Sequence, residues 1–158
     1  MLFNRSLDKP SLVYEAKAKV NVGLRILGQR PDGYHEIWSI LQEINLTDEI
    51  WMQDASDLSF SLTCNQKKLP TDDQNLCIRA AKLLHQVTGY PRGVALRLVK
   101  RIPIGAGLGG GSSDAAAVLK GLNELWQLSL SQDELLELAS QLGSDVPFFI
   151  MGSCCVAT

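Results

Sequence analysis

A chain of 158 residues with 46% apolar and 20% charged side chains has enough material for a real hydrophobic core and the balance of an ordinary globular protein. A net charge of −2 gives no polyanion-binding surface, so nucleic acid is not an expected partner. No apolar run reaches membrane-spanning length, which removes the membrane as a partner, and MLFNRSLDKP lacks the basic-then-apolar order of a signal peptide.

In chain order, VYEAKAKVNVGLRILGQ alternates from Ala18 to Ile26 and predicts a strand ended by the turn Pro31-Asp32-Gly33. Ala18, Val20 and Val22 are expected to face the core, with Lys19 and Asn21 on the opposite face. YHEIWSILQEINLTDEIWMQ predicts two strands broken near Thr47-Asp48, and DLSFSLTC a further short one. A helix is expected from about Asp73 or Asn75, with apolar residues at helical spacing in NLCIRAAKLLHQV, closed by Gly89-Tyr90-Pro91. VALRLVKRI then predicts a strand leading into PIGAGLGGGSSDAAAVL.

The second half predicts helices. SSDAAAVLKGLNELW places Ala115, Val118, Leu119, Leu122 and Leu125 on one stripe. In SLSQDELLELASQLG, Ser131 and Glu134 stand in capping-box relation and Gly143 is the expected C-cap. VPFFIMGSCCVAT predicts a strand. The mixture lacks a regular βαβ alternation, so the fold class is α+β. The cysteines Cys64, Cys77, Cys154 and Cys155 lack zinc-ligand spacing and are expected to be free thiols in a reducing compartment.

Five glycines between Gly105 and Gly111 concentrate backbone entropy cost at one place. No lysine sits where a Walker A loop needs one. Gly105, Gly107 and Gly110 satisfy GxGxxG, but the helix they open leads to another helix, not to the strand with an acidic end that a dinucleotide fold requires. A glycine-serine loop opening directly into a helix remains. Free N–H groups at a helix start carry partial positive charge and can cradle an anion without a lysine. A tight connection between a strand and a helix is the plainer alternative. Asp114, in the first turn, could cap the helix or hold Mg²⁺.

This segment resembles the P-x-x-x-G-L-G-S/G-S-S signature of the GHMP small-molecule kinases. Other segments resemble the branch of that family acting on a cytidine-diphospho alcohol. They are Ala18-Lys19-Val20-Asn21 (with Lys17 where the family has proline), Gly28-Gln29-Arg30-Pro31-Asp32-Gly33-Tyr34-His35, Asp73-Gln74-Asn75-Leu76 and Gly143-Ser144-Asp145-Val146-Pro147-Phe148.

The resemblance implies a fold whose N-terminal half is ribosomal protein S5 domain 2-like. Residues 1–158 would correspond to the N-terminal ATP-binding domain, without the second domain of longer family members. It implies ATP as phosphoryl donor, with Mg²⁺ held mainly by the ATP phosphates and no metal-binding side chains of its own. ATP would lie on Pro103, Ile104, Gly105, Ala106, Gly107, Leu108, Gly109, Gly110, Gly111, Ser112 and Ser113, with adenine contacts near Asn75 and Lys100. An N-cap for Asn75 and a solvated strand end for Lys100 are their ordinary alternatives.

Lys19 and Asp145 would be the catalytic pair, with Asp145 as base and Lys19 beside the transferring phosphate. Asn21 would lie near the substrate, while Tyr34 would stack on cytosine and His35 would bond its polar edge. A solvated lysine, a turn aspartate and a structural histidine are the alternatives for Lys19, Asp145 and His35. His85 has no motif around it. If the second domain completes the site, the isolated chain is expected to show little turnover and weak nucleotide affinity. It would then self-associate through an exposed apolar interface. Another GHMP kinase, of the mevalonate or homoserine type, and a non-catalytic binding module are the competing readings. The compartment expected is the cytoplasm, with a plastid stroma as the alternative.

Overall fold

Two long strands form the frame. In the computed structural model, which describes residues 12–29 and 35–157, β1 (Leu12–Gln29) pairs antiparallel with β2 (His35–Asp54) along nearly its whole length. Then follow β3 (Phe60–Cys64), α1 (Leu76–Thr88), β4 (Val94–Val99), α2 (Gly110–Leu125), α3 (Gln132–Leu142), α4 (Val146–Met151) and β5 (Cys154–Ala157). The sheet order is β1-β2-β4-β3. β4 pairs with residues 49–54 of β2 and β5 with residues 39–42, so two strands share one edge of β2 in tandem. β3 and β4 are parallel, joined by α1 as their crossover.

The core lies between this sheet and the helices. Ile50, Met52, Leu96 and Leu98 supply the sheet side; α1 adds Ile78 and Leu84, and α4 adds Phe149. Local signals set the helix ends. Asn75 caps α1 by accepting from the Cys77 N–H, and Gly89, at φ 66°, ends it. Ser131 and Glu134 make the reciprocal capping box of α3.

Four expectations need correction. β2 is continuous through Thr47-Asp48, because the Asp48 carboxylate finds partners inside the protein and so does not force a turn. Residues 146–151 are helix α4, and only 154–157 are strand. Pro147 in the first turn suits a helix start, and Gly152, at φ 73°, ends it. α2 is buried on nearly every side from Ser113 to Leu119, well beyond one apolar stripe, because helices and sheet enclose it. Val22 is 66% exposed, while the consecutive Ala18 and Lys19 are both buried. Register irregularities at Lys17/Ala18 and Asn21/Gly23 break the inside–outside alternation that the sequence implies.

Candidate active site

The glycine segment links the end of β4 to α2. Gly105, Gly107 and Gly109 all have φ near +70°, so every second residue takes the left-handed conformation. Gly109 is the N-cap of α2 and, having no side chain, leaves the cap unfilled. The helix bonds begin with Ser113 N–H donating to the Gly109 carbonyl at 2.9 Å. The N–H groups ahead of Ser113 therefore have no intrahelical acceptor. They open on a cavity of about 370 Å³ whose wall runs continuously from Pro103 to Ser112. Ser113 is buried behind the wall.

Two contacts hold this loop against the sheet and α4. Lys19 N–H donates to the Leu108 carbonyl at 3.0 Å, which stitches β1 to the loop. A Cβ on Gly109 would lie 2.8 Å from the Phe149 ring and 3.1 Å from Lys19 Cγ, whereas one on Gly105 would meet nothing within 4 Å. The pair separates backbone strain from steric conflict. Gly105→Ala is expected to cost about 1 kcal/mol from its positive φ alone. Gly109→Ala adds overpacking and is expected to cost about 2–4 kcal/mol. Denaturant unfolding of the two variants checks this; equal costs would show that Phe149 does not press on the loop.

Asn75 and Lys100 also reach the cavity wall, but both side chains have structural work. The Asn75 amide is engaged at both ends, accepting from Cys77 N–H at 2.9 Å and donating to the Pro70 carbonyl at 2.8 Å. Lys100 is not a solvated strand end. Its buried ammonium lies between Asp48 Oδ2 at 2.5 Å and Asp114 Oδ2 at 2.7 Å. Asp48 Oδ1 also accepts from the N–H groups of Arg101 and Ile102, where the chain leaves β4 for the loop.

Two carboxylates thus share one cation away from water. Burial pushes the Asp114 carboxyl up to about 7, with Asp48 adding to the rise and Lys100 opposing it. Burial works against the Lys100 ammonium too, yet the two carboxylates outweigh it and hold its pKa above the ordinary lysine value. Asp114 neither caps α2 nor stands free for a metal ion: one oxygen is committed to Lys100, and Oδ1 is buried with no partner. Among the described residues, no group of three His, Cys, Asp or Glu side chains could hold a metal ion.

On the other side of the loop, Lys19 and Asp145 converge. Lys19 Nζ is 4.0 Å from Asp145 Oδ2, with the lysine side chain 10% and the aspartate 45% exposed. Asp145 is the N-cap residue of α4, yet its side chain makes no capping bond and stays available. Lys19 Nζ also donates to Asn21 Oδ1 at 2.7 Å. Tyr34 lies outside the described residues. His35 opens β2 opposite Gln29, and its side chain also lies outside them. The sequence reading missed Asp48 and the burial of Lys100. Its only available signal was an acidic residue inside an otherwise strand-like run.

An open helix N-terminus beside a lysine–aspartate pair, on a sheet with one parallel crossover, sets the class of this α+β domain. The family model for the GHMP kinases N terminal domain matches residues 75–153, half of the chain, and the chain belongs to the GHMP kinases. The 4-diphosphocytidyl-2-C-methyl-D-erythritol kinase of Chlorobium chlorochromatii (strain CaD3) is 51% identical over 136 residues, covering 86% of this chain and 46% of that protein. The protein of the same name from Gloeothece citriformis is 50% identical over 149 residues, covering 90% and 46%.

A crystal structure of 4-(cytidine 5'-diphospho)-2C-methyl-D-erythritol kinase superposes with a TM-score of 0.80 at 40% identity, over 92% of this chain and 51% of that one. The Methanococcus jannaschii mevalonate kinase shares the fold at a TM-score of 0.73 and 17% identity. The chain spans about half the length of the curated relatives it matches. Among the described residues, no helix is long and apolar enough to cross a membrane.

Proposed function

We propose that this chain supplies the nucleotide-binding part of an ATP-dependent kinase that phosphorylates the 2-hydroxyl of 4-diphosphocytidyl-2-C-methyl-D-erythritol, in isoprenoid biosynthesis. The observation that carries the reading is the open amide cradle at the start of α2, with Lys19 and Asp145 beside it. The high identity to relatives of that name, set against the low identity to mevalonate kinase, supports the cytidylyl substrate.

In this reading the α2 amides and the loop from Pro103 to Ser112 grip the triphosphate, with no lysine needed in the loop. The wall formed at Asn75 and Lys100 shapes the pocket. With both side chains already engaged, they serve as scaffold. The Lys19 ammonium and the Asp145 carboxylate are close enough for one alcohol oxygen to sit about 2.8 Å from each. Asp145 accepts the hydroxyl proton as that oxygen bonds to the γ-phosphorus; the bond from phosphorus to the β-bridging oxygen breaks and ADP leaves. Lys19 offsets the charge on the transferring group.

Mg²⁺ would enter with the ATP phosphates and would neutralise part of their charge there; among the described residues no group of three His, Cys, Asp or Glu side chains could hold it. Tyr34 and His35 are assigned to the cytidine, Asn21 to the acceptor side, and the cytoplasm is the compartment in which the reaction runs.

Comparing ATP consumption by the whole protein with the cytidylyl alcohol, mevalonate and homoserine tests this reading. Turnover is expected with the first alone, at least about a hundredfold above the others in kcat/KM, a discrimination of about 2.7 kcal/mol. Preference for mevalonate or homoserine would replace the substrate assignment. No phosphoryl transfer to any alcohol would overturn the kinase reading.

A further inference from the structure

We infer that Ser39 is a positioning residue for the phosphoryl-transfer site, acting through Asn21 on Lys19. Its importance for transfer rests on the kinase reading above; the relay itself does not. Ser39 is fully buried and cannot reach a substrate. Its hydroxyl lies 2.9 Å from the Gly23 carbonyl oxygen and 2.8 Å from Asn21 Nδ2, and Asn21 Oδ1 lies 2.7 Å from Lys19 Nζ.

Proton counting leaves one arrangement for this chain of groups. A carbonyl oxygen can only accept, so Ser39 spends its single proton on Gly23. Towards Asn21 the hydroxyl can then only accept, and Asn21 must present its NH₂ to Ser39. The other end of the amide is therefore the oxygen, and it faces an ammonium that can only donate. The Ser39 hydroxyl and the Lys19 ammonium thus require the same orientation of Asn21, and Ser39 anchors its NH₂ end. It thereby aims one of the three Lys19 protons and leaves the others for the side where Asp145 lies.

The fold brings these groups together by an irregularity. Asn21 pairs with Leu41, so Ser39, two residues along β2, is its diagonal neighbour on the same face. The register shift between Asn21 and Gly23 leaves Val22 out of the pairing and sets the Gly23 carbonyl beside Ser39. Without the Ser39 hydroxyl, the Asn21 NH₂ loses its acceptor and the amide is held only at its Lys19 end, so the contact that aims Lys19 loosens.

The test is a double-mutant cycle in the whole protein, read on kcat and on the Asn21 side-chain amide by NMR. Ser39→Ala is expected to lower kcat about tenfold with KM for ATP within about twofold. Asn21→Ala lowers it at least as far, and adding Ser39→Ala to Asn21→Ala lowers it no further, because Ser39 acts only through Asn21. The Asn21 NH₂ resonances are expected to exchange more slowly in the native protein than in Ser39→Ala, where the acceptor of one NH₂ proton is gone. Additive losses in the cycle, or unchanged kcat in Ser39→Ala, would overturn the positioning role. Unchanged Asn21 amide protection in Ser39→Ala would overturn the relay. If the protein transfers phosphate to no alcohol, the kinase reading fails, and the amide resonances still decide whether Ser39 orients Asn21.

Discussion

Asp145→Asn is expected to lower turnover of the whole protein by about 10²–10⁴-fold, the range for loss of a general base, while leaving KM for ATP nearly unchanged. The side chain is free to fail in this selective way. It caps nothing at α4, is almost half exposed, and has the Lys19 ammonium at 4.0 Å as its charged neighbour. Its loss therefore removes chemistry without unpinning a helix, and the unfolding midpoint should stay at the native value. On the proposed mechanism, Lys19→Met is expected to cost turnover by about 10²–10³-fold, through loss of the charge proposed to offset the transferring phosphate. That change also removes a mostly buried amine that donates to Asn21. Steady-state kinetics with denaturation curves on both variants provides the check. An Asp145→Asn enzyme within threefold of the native rate would remove this carboxylate from the reaction.

The second large effect falls on stability. Asp48→Ala is expected to cost about 3–5 kcal/mol, because it strips one carboxylate from a buried ammonium. It also removes the acceptor for the N–H groups of Arg101 and Ile102. Asp114→Asn should cost less, about 1–2 kcal/mol at neutral pH, since Lys100 keeps Asp48 and one Asp114 oxygen already lacks a partner.

The two carboxylates also differ in pH dependence. The Asp114 pKa rises from its ordinary value of 3.8 to about 7 on folding. Between those values the folded chain holds a proton that the unfolded chain releases, so this group's contribution to stability falls as pH rises from about 4 to 7. Lys100, raised above its ordinary 10.5, supplies stability throughout that window and loses it only as pH climbs through its folded value. Asp114→Asn should therefore flatten the stability profile between pH 4 and 7, as denaturant midpoints at several pH values would reveal. An unchanged slope would show that Asp114 stays ionised in the fold.

The α1 cap at Asn75, the α3 capping box at Ser131 and Glu134, and the glycine loop opening α2 were all legible in the sequence. Each is a local matter. A side chain satisfies N–H groups two or three residues away, or a glycine takes a φ that other residues resist, and neighbours in the chain suffice to state it. The kinase-like motifs were legible for the same reason, since each is a short continuous stretch whose backbone shape its own residues set.

What the sequence could not state depended on partners far along the chain or on which face of a strand is covered. Lys100 meets Asp48 across 52 positions and Asp114 across 14, and nothing in the alternation of β2 marks Asp48 as an inward charge. Burial of Lys19 beside Ala18, exposure of Val22, and the reach of Ser39 to Asn21 all follow from register irregularities between β1 and β2. Residue chemistry and local backbone preference determined where the phosphate-type loop and the helix caps lie. Strand register and the packing of α2 and α4 decided which charges are buried together and which pair converges on the other side of the glycine loop, because desolvation and pairing depend on three-dimensional neighbours that no stretch of chain contains.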